Sequence, residues 1–156
     1  MPKFFIEQVA LCPANPQAAR ELLEAIGAVE WHEDHVVADG VVFGEAGTNE
    51  ANLSFNYDML KQANELEILD YTKGNDWMQH GTRPNSVSHL GMHCSAEELL
   101  KWHKFFAERE IKVAQEVFTQ SHTNPVINGK RKYNYAIFDT KEILGVDLKF
   151  IVRIDL

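Results

Sequence analysis

A chain of 156 residues with 45% apolar and 24% charged residues has the length of one domain and the composition of an ordinary globular protein. Its formal charge of −8, from 23 acidic against 15 basic residues, works against unspecific binding to nucleic acid or an anionic membrane, so neither is expected as a partner. No apolar run approaches the roughly 20 residues that span a bilayer, the opening Met1-Pro2-Lys3-Phe4 lacks a signal peptide's apolar stretch, and a cytoplasmic location is expected.

Phe4 to Cys12, rich in β-branched and aromatic residues, predicts a strand. Pro13-Ala14-Asn15-Pro16 stops it and opens a helix, with Asn15 as N-cap and Pro16 at the first helical position. That helix carries Ala19, Leu22, Leu23 and Ile26 as its apolar stripe and ends at Gly27. Extended stretches follow around Val29 to Phe43, at Ala51 to Tyr57 and at Glu65 to Tyr71, with turns expected at Asp39-Gly40 and across Gly44 to Asn49.

The order then repeats. Val87 to Cys94 reads as a strand, and Ser95-Ala96-Glu97-Glu98 has the spacing of a capping box that opens a second helix. Leu99, Trp102, Phe105 and Phe106 form the apolar stripe of that helix, and extended stretches follow near Val113 to Thr119, Lys132 to Asp139 and Val146 to Ile154. A loop rich in Asn, Pro and Gly separates two of them at His122 to Lys130. The chain therefore reads βαβββ twice: repeat one about 1–74, a polar connector about 75–85, repeat two about 86–156, all within one domain. The two cysteines, Cys12 and Cys94, are too few for a disulfide framework and are expected as buried free thiols.

Two segments resemble the vicinal oxygen chelate superfamily of glyoxalase I, bleomycin-resistance and extradiol dioxygenase proteins. They are Leu66-Glu67-Ile68-Leu69-Asp70-Tyr71 followed by Gly74, and Ser88-His89-Leu90-Gly91-Met92-His93. Ile6 to Leu11 resembles that family's first strand, and Asp139 to Gly145 with Val146 to Ile151 its last turn and strand. The resemblance implies an α+β fold in which two βαβββ repeats form a cupped, strongly curved mixed sheet with helices on the convex face. It also implies that Glu67 and His89 stand at metal-ligand positions. Gln8 and His89 lie 81 residues apart and Glu67 and Lys149 82, as two near-equal repeats require.

Strand alternation independently sets the facing of these residues. Val146, Leu148, Phe150 and Val152 make an apolar face suited to lie under a helix, which turns Asp147, Lys149, Ile151 and Arg153 the other way. Leu90, Met92 and Cys94 take the helix side and leave Val87, His89, Gly91 and His93 opposite. Glu65, Glu67 and Leu69 face opposite Leu66 and Ile68, and Gln8 opposite Val9 and Leu11, so Gln8, Glu67, His89 and Lys149 are expected to meet in the cup. Buried beneath the helices are expected Leu22, Leu23, Trp102 and Phe106.

Lys149 breaks the family's ligand pattern, because a protonated amine has donors and no lone pair for a cation. Gln8 in place of a histidine is tolerable, since an amide oxygen can coordinate, but Glu67 and His89 alone make a poor two-residue site for zinc or iron. His93, on the face of His89, is about 13 Å along the strand, and His32, His35, His80 and His122 stand in polar or loop-like stretches. Glu67 and Lys149 are either an ion pair filling a degenerate cavity or part of a working pocket, and His89 either a hydrogen-bonded core histidine or a ligand. Tyr133 and Tyr135 either line the cup or pack in it, and Ser54 and Asn56 are candidates for further polar contacts.

The expectation that follows is a protein of this family that binds a small organic molecule in its central cup through Gln8, Glu67, His89, Tyr135 and Lys149, without a cofactor and as a homodimer; Lys149 or Arg153 would meet an anionic group. One alternative is a metal-dependent lyase, isomerase or dioxygenase with Zn, Ni, Fe or Mn on Glu67, His89 and Gln8. Another is metal-free acid–base catalysis with Glu67 as base and Lys149 steadying an oxyanion.

Overall fold

The computed structural model describes residues 2–57, 65–73, 85–121 and 128–156. Within them lie eight strands: β1 Gln8–Cys12, β2 His32–Val42, β3 Glu45–Asn56, β4 Glu65–Lys73, β5 Ser86–His93, β6 Val113–Ser121, β7 Arg131–Phe138 and β8 Asp147–Asp155. Three helices accompany them: α1 Pro16–Ala25, α2 Ala96–Ala107 and α3 Lys141–Leu144. The connector at 75–85, apart from Asn85, and most of the 122–130 loop, including His80 and His122, lie outside the described residues.

The strands close into a barrel in the order β1-β4-β3-β2-β6-β7-β8-β5. β1 runs parallel to β4 and antiparallel to β5, while β5 runs parallel to β8. The two repeats share one register. Ala10 lies opposite Glu67 as Gly91 lies opposite Lys149, and Phe55 pairs with Glu67 as Ile137 pairs with Lys149. Glu67 and Lys149 thus hold equivalent places, as the 82-residue spacing requires.

The second seam of the barrel joins β2 to β6, with Gly40 opposite Val117. A Cβ on Gly40 would stand 2.6 Å from the Glu116 carbonyl oxygen and 2.8 Å from Val117 Cγ2, so a side chain there would wedge the seam apart. Asp39-Gly40, read from sequence as a turn, is therefore mid-strand. The turn is two residues, Phe43 and Gly44, both at positive φ (45° and 84°), the conformation that matches strand twist in a tight hairpin. Residues 45–49 consequently belong to β3 rather than to a loop.

Outside the barrel, α2 packs its apolar stripe on β5, β7 and β8. Trp102 and Phe106 are buried against Met92, Ala136, Phe138 and Phe150, with ring centroids 4.2 Å apart for Phe106–Phe138 and 4.6 Å for Trp102–Phe150. Each such side chain contributes about 1.5–3 kcal/mol by leaving water. The α2 start carries the predicted capping box, Ser95 Oγ accepting from the Glu98 N–H at 3.1 Å and the Glu98 carboxylate accepting from the Ser95 N–H at 2.9 Å.

Helix α1 lies against β4 differently from expectation. Asn15 caps it through the Ala18 N–H at 3.0 Å. Its inner face is Ala19, Arg20 and Leu23, half-buried, whereas Leu22 is 65% exposed. The reason is helical phase: in a ten-residue helix only one row one turn apart reaches the sheet, and here Arg20, stacked over the Trp31 ring at 4.3 Å, shares that row. α3 was not foreseen. It is a single turn closed by Gly145 at φ 78°, and Asp147 holds its start by accepting from the Thr140 and Lys141 N–H groups at 3.1 and 3.2 Å. Both cysteines are free, Cys12 buried and Cys94 half-buried. Among the described residues no helix is long and apolar enough to cross a membrane.

Candidate functional site

The barrel encloses a cavity of about 370 Å³, within the usual range for small-molecule sites. Alternation brings Gln8 from β1, Glu65 and Glu67 from β4, His89 from β5 and Lys149 from β8 onto its wall, with Leu53, Leu69, Ile137 and Ile151 as apolar lining. Tyr133 and Tyr135 also line it. All of the chain's four tyrosines do so, Tyr57 and Tyr71 being the other two.

Four of the polar side chains are almost wholly enclosed: Gln8 3% exposed, Glu67 2%, His89 2% and Lys149 7%. Their hydrogen bonds run in one direction. Gln8 Nε2 donates to Glu65 Oε1, which leaves Gln8 Oε1 to accept the His89 Nε2–H at 2.9 Å. His89 Nδ1 then accepts from the Ser88 hydroxyl at 3.2 Å. Gly91 makes room for this arrangement, since a Cβ there would come within 3.0 Å of Gln8 Oε1.

Glu67 Oε2 stands 3.4 Å from His89 Nε2 and 3.7 Å from Lys149 Nζ, yet no hydrogen bond fills it. Lys149 Nζ lies over the Tyr135 ring at 4.5 Å. Tyr135 in turn accepts from Gln115 Nε2 at 3.0 Å through its hydroxyl, which fixes the ring under the ammonium.

Burial alone would push the Glu67 carboxyl up; the Lys149 charge, together with His89, outweighs it and holds the group below the usual carboxylate range. His89 is pushed down to about 4 by burial and by the Lys149 charge, against the pull of Glu67, and is neutral at pH 7. Glu65 is pushed up to about 7, first by burial and then by the charge of Glu67, with the Gln8 hydrogen bond and Lys149 opposing. Tyr57 is pushed up to about 12 by burial and by the charge of Glu65.

These residues do not fit a divalent cation. A cation on Glu67 Oε2 would meet an ammonium at 3.7 Å, and the His89 nitrogen nearest Glu67 carries its proton toward Gln8. Among the described residues no three His, Cys, Asp or Glu converge as a ligand set.

Other expectations resolve residue by residue. Ser54 and Asn56 face out of the cavity, Ser54 donating to Glu33 at 2.6 Å and Asn56 Nδ2 to the Glu30 carbonyl at 2.8 Å, because the inward phase of β3 belongs to Ala51, Leu53 and Phe55. Arg153 is exposed at the end of β8 and turns to Asp155 at 2.9 Å, away from the cavity; Arg131 lines it instead. His93 lines the cavity and stands 3.2 Å from Glu7 Oε2, His32 lines it beside Tyr57, and His35 bonds Asn52 at 2.9 Å. Glu65, Tyr71 and Arg131 were missed as site residues, although Glu65 and Tyr71 share the phase of Glu67, and Arg131 that of Tyr135.

No family model and no curated protein matches this sequence. Among solved structures, a Streptomyces coelicolor methylmalonyl-CoA epimerase variant in complex with 2-nitronate-propionyl-CoA is similar over 94% of this chain and 95% of its own, with a TM-score of 0.53 and 13% identity. A hypothetical protein from Bacillus halodurans C-125 is similar over 97% of this chain and 96% of its own, with a TM-score of 0.52 and 10% identity. At these identities the likeness shows the fold alone, the curved mixed sheet with its helices outside that the two structures share with this chain.

Proposed function

We propose that this chain, carrying the vicinal oxygen chelate fold, binds a small organic molecule in its barrel, and that the Glu67–Lys149 pair takes the place a metal holds in the resembled family. The observation that carries this reading is the cavity itself, about 370 Å³ with a carboxylate and an ammonium enclosed in it. A purely structural barrel core fills with apolar side chains. Here the centre keeps open space, aromatic walls and two charges, the composition of a ligand site. The similar Streptomyces protein is in complex with 2-nitronate-propionyl-CoA, which lends the reading analogy and no more.

Within this reading Gln8, His89 and Tyr135 position the ligand and Lys149 and Glu67 orient its polar group. Metal-free acid–base catalysis, with Glu67 accepting a proton and Lys149 steadying the charge that develops, is the second reading, supported by both groups facing the same space. A thermal-shift screen of the full chain against a library of small organic acids, amines and neutral ring compounds tests binding. Compounds that raise Tm in wild type and leave the cavity-filling variant Leu53→Trp unmoved are expected; a library in which none separates the two proteins contradicts the proposal.

A further inference from the structure

The Glu67–Lys149 pair is close without being bonded. At 3.7 Å the separation exceeds hydrogen-bond length, Glu67 Oε2 has no hydrogen-bond partner, and the ammonium has the Tyr135 ring face and the carboxylate as its neighbours. A buried acceptor and a buried donor therefore lie side by side, both facing the cavity and both with unused capacity, an arrangement that costs free energy until something fills it.

Resting on the reading that the cavity takes a small organic molecule, we propose that it selects a neutral planar ring bearing a cis-amide edge, a lactam-type heterocycle whose N–H donates to Glu67 and whose C=O accepts from Lys149. Three features define that class. The first is spacing: the bond lengths of an amide place its nitrogen and oxygen about 2.3 Å apart, so two slightly splayed hydrogen bonds of ordinary length reach partners 3.7 Å apart.

Charge is the second. The pair sums to zero and is almost wholly buried, so a neutral ligand leaves it compensated, whereas an anion or a cation takes one partner and strands the other. His89 does not compete, because its Nε2 proton is directed to Gln8. Third is shape: Phe55 and the four tyrosines wall the cavity, and flat rings pack on aromatic faces better than branched chains do.

Calorimetric titration of the full chain with four probes of one size tests this: 2-quinolinone, its N-methyl derivative, 2-naphthoate and naphthalen-2-ylmethylammonium. Wild type is expected to bind 2-quinolinone at least about tenfold more tightly than the other three, since N-methylation removes the donor to a charged acceptor. The double variant Glu67→Leu/Lys149→Met, an apolar replacement of the buried pair whose folding is checked by its cooperative urea unfolding, should bind 2-quinolinone and its N-methyl derivative alike. Tighter binding of either ion, or equal binding of the two quinolinones by wild type, as when a water bridges the pair, overturns the selection and leaves the binding cavity in place. Binding of none of the four overturns the selection as well, and the Leu53→Trp comparison decides separately whether the cavity binds anything.

Discussion

Glu67 and Lys149 occupy the same position in the two repeats, and inside the barrel their charged groups stand 3.7 Å apart at 2% and 7% exposure. A pair of this kind is asymmetric in energy. Its mutual attraction roughly offsets the cost of desolvating both ions, while either ion alone is left with the full cost. Lys149→Ala should therefore destabilise the protein by about 3 kcal/mol in urea unfolding, and Glu67→Leu/Lys149→Met by clearly less than that single change. A double variant at least as unstable as Lys149→Ala would show that the pair contributes net stability.

The pH dependence of stability separates Glu65 from His89. Glu65 is raised to about 7 from 4.5, so the folded state holds its proton more tightly, and this contribution is full below about pH 4.5 and declines as pH rises through about 7. His89 is lowered to about 4 from 6.5, so its contribution runs the other way, present above about 6.5 and lost as pH falls through about 4. The two slopes oppose each other across the interval they share. Glu65→Gln removes the first, so the unfolding free energy of wild type minus that of the variant should decrease between pH 4.5 and 7. A difference that is flat or increases over that range would show that Glu65 ionises normally.

The two long helices should respond unequally to truncation. Phe106→Ala removes a ring stacked on Phe138 beneath α2 and should cost about 3–5 kcal/mol, whereas Leu22→Ala on α1 removes a side chain already in water and should cost under about 1 kcal/mol. Comparable losses in chemical denaturation would place Leu22 against the barrel.

The seam between β2 and β6 depends on a missing side chain. Gly40→Ala should destabilise by about 1–3 kcal/mol and speed amide exchange at Val117 and its β6 neighbours, because the new methyl group meets the Glu116 backbone rather than a side chain that can turn aside. Unchanged exchange in β6 would show that the strand accommodates it.

Period-two alternation in β4, β5 and β8 placed Glu67, His89 and Lys149 on the inward face because Ile68, Met92 and Phe150, of opposite phase on the same strands, are unambiguous in their need for burial. The near-equal offsets of 81 and 82 residues tied the two halves together, and the register bears this out at Ala10–Glu67 and Gly91–Lys149. Legibility failed where two local signals compete. Asp39-Gly40 has the chemistry of a turn, but the seam needs a residue without a Cβ and Phe43-Gly44 turns the chain instead. On β3 the small polar residues Ser54 and Asn56 drew attention over Leu53 and Phe55, although a ligand cavity is walled mainly by apolar groups. The direction of the hydrogen-bond chain through Gln8 was not legible at all, since it depends on a rotamer choice that only the neighbouring Glu65 and His89 settle together.

The claim that a lysine stands in the metal's place is tested most directly by restoring a carboxylate there. Isothermal titration of metal-free wild type and Lys149→Glu with zinc and with nickel should give saturable one-to-one binding to the variant and none to wild type. The substitution removes the ammonium and offers a second anionic oxygen donor beside Glu67, with His89 free to release its bond to Gln8. Equal affinity in the two proteins, or stoichiometric metal on wild type, would contradict the account.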